Sequence, residues 1–464
     1  MELTGKKILL FNPWIYDFAA YDFWVKPLGL LQLAAVLKQS GLHIELIDCL
    51  DRFHPALQNL PDHPPAKIKA NGTGKFIREQ IPKPEVYSHI PRKYCRYGMP
   101  AHIVEKLLAN LSEKPDVILL TSTMTYWYPA VRDAAKLLRE YFPDTPLILG
   151  GIYASLCPEH AQKHIGPDHL FTGAGEHHIV DLVAAVTGAN PPQQRHLPDG
   201  AFPRPLYDLY PDLRSVAIIT SRGCPNHCSF CASRVLAPEY TRRSAEHVLH
   251  EIAHWHNTRQ VQHFAFFDDA LLHKADDYIK PLLRGVIKQK LPVCLHAANG
   301  MQPRFVDAEF ADLFYQAGGI TVKLSFETIN PTRQKSMSAK VTCQELKTAI
   351  ENLEQAGYKR HTIGVYVLMG LPDQEPAEAL DSVNYVLDLG ARVNLASFSP
   401  IPHTSEWQRA IDMGYWSPDD DLLMTNTSVF PIWSRRFGYQ QCQDFVHKIV
   451  EKNKQCDVVV NEVE

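Results

Sequence analysis

Between residues 215 and 234 the chain reads SVAIITSRGCPNHCSFCASR: an apolar run ends in Gly223, and Cys224, Cys228 and Cys231 follow closely. Three thiolates spaced C-x3-C-x2-C on one loop can converge on a single iron–sulfur cube, because soft sulfur ligands suit iron and short spacers let the loop wrap it. No fourth cysteine follows in this stretch. A cube held by three thiolates keeps one iron open, which catalysis needs and a purely electron-transferring cluster avoids. Two plainer readings stand beside this one. A structural zinc would want a fourth Cys or His, and His227 lies inside the loop, although zinc ligands usually come as two separate pairs. The three can also be unrelated buried thiols.

Such a loop needs a frame. From residue 213 onward six apolar runs recur, SVAIITSRG, HFAFFDD, VCLHAAN, ITVKLSFE, HTIGVYVLMG and VNLASFSP, with helical patterns between them. The clearest helix is expected at 343–356. There Thr342 and Glu345 form a capping box, and Leu346, Ala349, Ile350 and Leu353 make one apolar face ahead of Gly357. Six β/α repeats predict a parallel, partial (β/α)6 barrel of TIM type, and in such barrels the chemistry collects at the carboxyl ends of the strands. Those ends place Cys224, Asp268, Asp269, Asn299, Glu327 and Pro372 around one mouth. One of the two aspartates can instead be a helix N-cap, and Glu327 a surface carboxylate.

Residues 6–185 also alternate short apolar runs with amphipathic segments, and the runs end at Asn12-Pro13, Asp48, Ser122-Thr123, Gly150-Gly151 and Gly173 to Glu176. This alternation predicts a doubly wound, Rossmann-like parallel sheet covered by helices, whose ligands bind at the carboxyl ends of the strands. Small residues there let a bulky ligand approach the backbone, though each glycine can equally serve a tight turn. Residues 52–100 interrupt the pattern with a Pro-rich, basic insertion of little periodicity, a class of segment that is usually a lid or a loose excursion. Its KIKANGTGK lacks the spacing of a phosphate-binding loop. Residues 186–212, with six prolines, read as a linker. The expected plan is a first domain at 1–185, the linker, a core at 213–410 and a small α-rich extension at 411–464. A helical pattern covers 438–454 of the extension, whose aromatic residues Trp416, Phe430, Trp433 and Tyr439 are candidates to cap the barrel and meet substrate.

At 464 residues, 45% apolar and 21% charged, the composition is that of an ordinary globular protein. A formal charge of −4 carries no strong nucleic-acid footprint. The other seven cysteines are widely spaced singletons, which frames no disulfide scaffold and fits a reducing cytoplasm. The opening MELTGKKILLFNP has too short an apolar run for a signal peptide or membrane span and is expected to be a strand.

With the aromatic Phe230 before its last cysteine, the loop resembles the CxxxCxxC motif of the radical S-adenosylmethionine (SAM) superfamily. The resemblance implies a 4Fe–4S cluster bound by Cys224, Cys228 and Cys231, with SAM held through its amino and carboxylate groups at the open iron. One electron then cleaves the sulfonium and releases a 5′-deoxyadenosyl radical, so the cofactors carry the hard chemistry and the protein positions them. It also implies a SAM site made of Phe230, Asp268, Asp269, Glu327, Gly370, Leu371 and Pro372. Asp268-Asp269 stands where the methionyl amino group is bound. Glu327 in LSFET is similar to the Glu of G-x-E-S, near the ribose, though Phe326 and Thr328 flank it. Gly370-Leu371-Pro372 resembles a G-L-P turn that packs on adenine, with Asp373-Gln374-Glu375 replacing the usual Gly-Glu-Thr, so no role passes to Glu375. In Pro400-Ile401-Pro402-His403-Thr404, His403 replaces the Gly of P-x-P-G-T and reads as a surface turn residue before an acid or base.

The first domain resembles the cobalamin-binding domain often found ahead of a radical SAM domain. That family shows D-x-H-x-x-G after its second strand, S-x-L after the third and Gly-Gly after the fourth. Ser122-Thr123-Met124 stands for S-x-L and Gly150-Gly151 for the glycine pair, which implies Ser122, Thr123, Gly150 and Gly151 as cobalamin contacts. Asp48 is kept, but Leu50 replaces the His and Phe53 the Gly, so the lower axial cobalt ligand is missing and cobalamin is expected base-off. Tyr126, Trp127 and Tyr128 can shield that lower face or simply pack.

Together the resemblances cover residues 6 to about 410 and imply cobalamin-dependent methyl transfer to an unactivated carbon. The substrate, small molecule or peptide, stays unnamed, no catalytic side chain is assigned, and an electron donor such as a flavodoxin or ferredoxin is expected. Two alternatives remain: a radical SAM rearrangement, cyclisation or sulfur-insertion enzyme with a scaffold first domain, and a non-catalytic iron–sulfur or zinc protein that senses redox state. Fold alone does not separate the first two.

Overall fold

The computed structural model describes residues 2–58, 60, 69–190 and 202–461. Residues 61–68 of the expected insertion and 191–201 of the expected linker lie outside them. The chain divides into two compact units, Met1–Val216 and Ala217–Glu464.

The first unit holds five parallel strands, β1 (Lys7–Asn12), β2 (His43–Asp48), β3 (Val117–Leu120), β4 (Leu147–Leu149) and β5 (His169–Leu170), in the order β2-β1-β3-β4-β5. That order reverses between β1 and β3, and such a reversal opens a crevice at the carboxyl ends of the strands. The inner strands are apolar without alternation because both of their faces are covered. Ile8, Leu10, Leu119 and Ile148 pack against the helices Leu28–Gln39 and Ile179–Thr187 on one side. Full burial of each such side chain stabilises the unit by roughly 1.5–3 kcal/mol.

Part of the 52–100 insertion is regular. Cys95–Tyr97 pairs antiparallel with both Ile15–Asp17 and Arg78–Gln80. The Tyr94 and Tyr97 hydroxyls donate to the carbonyls of Tyr16 and Phe18, both at 3.1 Å. Arg52 Nε donates to Asp22 Oδ2 at 2.7 Å in a buried ion pair. Strands of three residues carry no readable alternation, which is why sequence pattern finds none of this.

In the second unit all six expected runs are strands, but the fourth is broken. Its seven strands are β6 (Ser215–Ile218), β7 (His263–Phe266), β8 (Cys294–Ala297), β9 (Gly319–Thr321), β10 (Lys323–Glu327), β11 (Gly364–Met369) and β12 (Arg392–Ser397). They form two sheets, β9-β8-β7-β6 and β10-β11-β12, rather than one closed barrel. ITVKLSFE divides at Val322 between them, and a lone Met301–Leu324 bridge continues the pairing. The register shifts between Leu295 and His296 and again between Ser325 and Glu327, irregularities that bend a sheet at its turning point. The helix Cys343–Gln355 carries the expected capping box and buries Leu346, Ala349, Ile350 and Leu353.

Three strands of the first of these sheets carry a polar chain. His263 Nδ1 lies 3.1 Å from His296 Nε2, and His296 Nδ1 lies 2.8 Å from Thr321 Oγ1. Burial, followed by the neighbouring His263, pulls the fully enclosed His296 down to about 3. A histidine held neutral in the fold but protonated when unfolded contributes stability that is complete above about pH 6.5 and is lost as the pH falls towards 3. Between pH 7 and pH 5 His296 is therefore expected to cost about 2 kcal/mol. Urea midpoints should show this loss in the wild type, and His296→Gln should flatten the dependence; an equal slope in both proteins would remove the assignment.

The extension is built from helices Ser405–Asp412, Trp433–Phe437 and Tyr439–Asn461. Trp416, Phe430 and Trp433 are buried in its packing. Asn453 exchanges two 2.9 Å hydrogen bonds with the backbone of Val393, fastening the last helix to β12. Among the described residues no helix is long and apolar enough to cross a membrane.

Candidate active site

Beyond β6 the chain makes a short antiparallel pairing, Ser221–Arg222 with Thr241–Arg242, and then enters the cysteine loop. Gly223 turns it with φ 78°, where a Cβ would strike the carbonyl oxygen of Glu239. The loop is fastened at its centre. Ser229 N–H donates to Met337 O at 2.8 Å, its hydroxyl donates to Glu406 Oε1 at 2.9 Å, and Glu406 N–H returns to Ser229 O at 3.0 Å. Phe230 packs against a cluster that contains Met337, Leu368, Leu371 and Phe398. The loop therefore rests on the ends of β11 and β12 and on the first turn of the helix that Thr404 caps.

All three thiols are free. Asn226 Nδ2 donates to Cys224 Sγ at 3.3 Å, and Ser233 N–H donates to Cys231 Sγ at 3.5 Å. Burial pushes the Cys228 thiol up to about 11, the Lys340 ammonium pulls it down, and Glu327, Cys231 and Cys224 push it up again. Lys340 is itself buried, with Nζ 2.8 Å from Glu327 Oε1 and 5.7 Å from the centre of the Phe230 ring. Among the described residues no three His, Cys, Asp or Glu side chains are grouped as ligands of a single metal ion would be. His227 is exposed, so the loop does not present the compact ligand set a zinc would need.

The two aspartates after β7 face different ways. Asp268 is buried, and its Oδ1 accepts from Thr220 N–H (3.0 Å), Thr220 Oγ1 (2.6 Å), Ser221 N–H (2.5 Å) and Ser221 Oγ (2.6 Å). Of the pair expected at the SAM amino group, Asp268 is thus taken up in pinning β7 to the start of the cysteine loop, and neither aspartate caps a helix. Asp269 reaches solvent; its carbonyl lies 3.9 Å from Cys224 Sγ, and its carboxylate meets the Ser233 hydroxyl beside Cys231. Asn299 donates to Phe267 O and Asp268 O at 3.0 and 3.2 Å. Glu327 closes β10 with φ 67°, a left-handed value uncommon for a residue with a Cβ and frequent at functional sites.

The Gly370-Leu371-Pro372 turn is braced by Gln374, which sequence reading passed over. Its Oε1 accepts from Gly370 N–H at 2.9 Å, and its Nε2 donates to Leu368 O at 3.0 Å. From the extension, Arg436 donates to Pro372 O at 3.1 Å and Trp433 Nε1 to Gln374 O at 3.1 Å. The extension therefore buttresses the turn, and those of its aromatics expected to meet substrate lie in packing instead. Exposed His403 holds φ 68° at the position of the missing Gly, as a turn residue would. Asp268 aside, the loop thiols, Asp269, Glu327 and the turn stand together; Lys340, Ser233, Asn226 and Glu406 join them without any motif to announce them.

In the first unit, Ser122 and the glycine pair form one joint at the ends of β3 and β4. The Ser122 hydroxyl donates to Gly150 O at 2.7 Å and accepts from Ala154 N–H at 3.2 Å, while Ser122 O accepts from Ile152 N–H at 2.8 Å. Gly151 has φ 97°, and any Cβ there would collide with Ser122 O. Gly150 has room for one, Thr123 is half-buried, and Gly173 faces open space. Met124 and Ile152, 45% and 41% exposed, add apolar surface beside these backbones. Asp48 accepts from Asn12 Nδ2 (2.7 Å), Leu50 N–H (2.9 Å) and the Tyr210 hydroxyl (2.6 Å), so its role in the fold is to close the ends of β1 and β2. Tyr126 and Tyr128 are buried, and Trp127 packs against the cluster of Ile15, Phe76, Cys95 and Tyr97 and donates to Asp17 Oδ2 at 2.8 Å. For this aromatic run the packing role holds.

The family model described as Radical SAM superfamily matches residues 218–383, and that described as B12 binding domain matches 96–183. The chain carries a radical SAM domain and a B12-binding domain. Its similarity extends to an uncharacterized methyltransferase of Pyrococcus horikoshii, 24% identical over 64% of this chain and 70% of that protein. A cytidylyl-2-hydroxyethylphosphonate methyltransferase of Streptomyces wedmorensis is 20% identical over 90% of this chain and 84% of its own. The structure of the radical SAM methyltransferase TsrM from Kitasatospora setae shares the fold, with a TM-score of 0.64 at 17% identity over 90% of this chain and 79% of that one.

A radical SAM domain takes a 4Fe–4S cluster and SAM, and a B12-binding domain takes cobalamin. The residues present suit these groups. Free thiols with N–H donors aimed at Cys224 and Cys231 are a donor set that favours thiolate and iron. In the B12-binding domain, glycines with room above them and exposed apolar side chains at the strand-order reversal suit a large flat ligand.

Proposed function

We propose that this radical SAM enzyme transfers a methyl group to an unactivated carbon in a cobalamin-dependent reaction. The observation that carries the reading is the pair of sites on one chain: three free thiols, two of them hydrogen-bonded, on a braced loop, and a glycine floor with exposed apolar surface at the carboxyl ends of β3 and β4 in a B12-binding sheet. Methyltransferase relatives support the reaction class.

In this reading Cys224, Cys228 and Cys231 hold the 4Fe–4S cluster. Asp269 orients the SAM amino group, Glu327 the ribose, and Phe230 with Gly370, Leu371 and Pro372 forms the apolar wall for adenine. The cluster would supply the electron that cleaves SAM, and cobalamin would carry the methyl group. Gln374, Arg436 and Trp433 keep the adenine wall rigid, which limits misplacement of the reacting atoms. Thr123 and Gly150, with Ser122 and Gly151 as the joint beneath, form the cobalamin contact. With Leu50 where the family's histidine would stand, no imidazole is supplied there as a lower ligand, so cobalamin binds base-off. We keep the domain plan of 1–185, 186–212, 213–410 and 411–464, a reducing cytoplasmic setting and a flavodoxin or ferredoxin donor as parts of the same proposal; the free state of the nine cysteines among the described residues supports the setting.

Anaerobic reconstitution tests it. The wild type is expected to retain iron, sulfide and cobalt together, and the cobalt(II) electron paramagnetic resonance signal to lack axial-nitrogen superhyperfine splitting. Gly150→Leu, whose added side chain projects from a backbone with room for it, should lose cobalt and keep iron. Iron without cobalt in the wild type would move the assignment to a scaffold first domain, and nitrogen splitting would refute the base-off claim alone.

A further inference from the structure

A buried ion pair is seldom kept for stability, because apolar replacements of the same volume often do as well. The Glu327–Lys340 pair is such a case. Its nitrogen and oxygen are 2.8 Å apart, and both side chains are almost fully enclosed. Lys340 lies a short step beyond the helix Pro331–Met337, whose last carbonyl accepts from Ser229 N–H in the middle of the cysteine loop. Its ammonium sits over the ring of Phe230, the residue before Cys231. That contact places the cation of the pair against the cysteine loop.

We infer that Lys340 is a positioning residue of the radical SAM site that raises the reduction potential of the cluster, with Glu327 holding its ammonium in place and offsetting part of its charge. The inference rests on the reading of Cys224, Cys228 and Cys231 as the cluster ligands. A 4Fe–4S cube with three thiolates becomes more negative when it accepts one electron from a low-potential reductant. An ammonium held against the loop, in surroundings that screen poorly, favours that added charge. Glu327, at φ 67°, holds the lysine here and in the proposed function also serves the SAM ribose.

The test is a dithionite titration, with mediators and without SAM, of anaerobically reconstituted protein, read by the paramagnetic resonance of the reduced cluster. Lys340→Met should make reduction at least tenfold less favourable, about 59 mV lower for one electron. Glu327→Gln should shift the midpoint upward, the double variant should fall between the two single variants, and Lys340→Arg should stay near wild type. Equal midpoints in Lys340→Met, Glu327→Gln and wild type would overturn the inference. So would a Lys340→Met protein that binds SAM more weakly at an unchanged midpoint, because the charge would then serve the nucleotide. If Lys340→Met fails to load iron, Lys340→Arg and Glu327→Gln decide: a retained and a raised midpoint support the inference, and no shift in Glu327→Gln overturns it. A wild type that loads no cluster overturns the cysteine reading and this inference together.

Discussion

Replacing Cys228 by Ala is expected to bring SAM cleavage to 5′-deoxyadenosine down to background and to strip iron from the reconstituted protein. The same holds for Cys224→Ala and Cys231→Ala. In the proposed function three thiolates are the whole protein ligand set, so losing one would leave an iron without protein sulfur and the cube without a third anchor. Cys49→Ala and Cys442→Ala are the controls. Both side chains are buried in apolar packing far from the loop in sequence, and their loss should cost about 0.5–3 kcal/mol of stability while cleavage continues. Undiminished cleavage in Cys228→Ala would sink the radical SAM chemistry for this chain, and iron loss in Cys49→Ala would mean that the wrong thiols were assigned.

Asp268 and Asp269 are neighbours with opposite expected phenotypes. Asp268→Ala should destabilise the second unit by about 3 kcal/mol and leave little cluster to assay. Alanine removes the acceptor altogether and leaves the buried N–H and O–H donors of Thr220 and Ser221, which converge on Oδ1, unpaired. Asp269→Asn should leave the denaturation midpoint unchanged. It should weaken SAM binding roughly tenfold to over a hundredfold, the worth of about 1.5–3 kcal/mol from a charge-assisted hydrogen bond. Equilibrium SAM binding to cluster-loaded protein, set beside urea denaturation, separates the two. If Asp269→Asn binds SAM as tightly as wild type, the amino group is held elsewhere; if Asp268→Ala is as stable as wild type, the four donors do not bind as drawn.

Much of this was legible in the chain itself. The C-x3-C-x2-C spacing, the six apolar runs after residue 213 and the alternation before residue 185 each depend on residues close in sequence, where periodicity and spacing carry the information. The Thr342–Glu345 capping box is local in the same sense and is found as read. Leu50 in place of a histidine is likewise read from the chain alone, and with it the expectation that cobalamin binds base-off.

The rest was decided by tertiary structure, because it depends on which way a side chain turns or on partners far apart in the chain. No pattern in Phe-Phe-Asp-Asp tells which carboxylate turns inward; Asp268 does so because Thr220 and Ser221, from another strand end, bring four donors to it. Lys340 belongs to no motif, and its place beside the cysteines follows from the helix Pro331–Met337 docking on Ser229. The three-residue strands of the insertion are too short to show a period, and the break at Val322 reflects the turning of a sheet within a run that reads as continuous. Composition and spacing determine which groups are available for chemistry; burial and long-range hydrogen bonds determine which of them are consumed in holding the fold and which remain free to act.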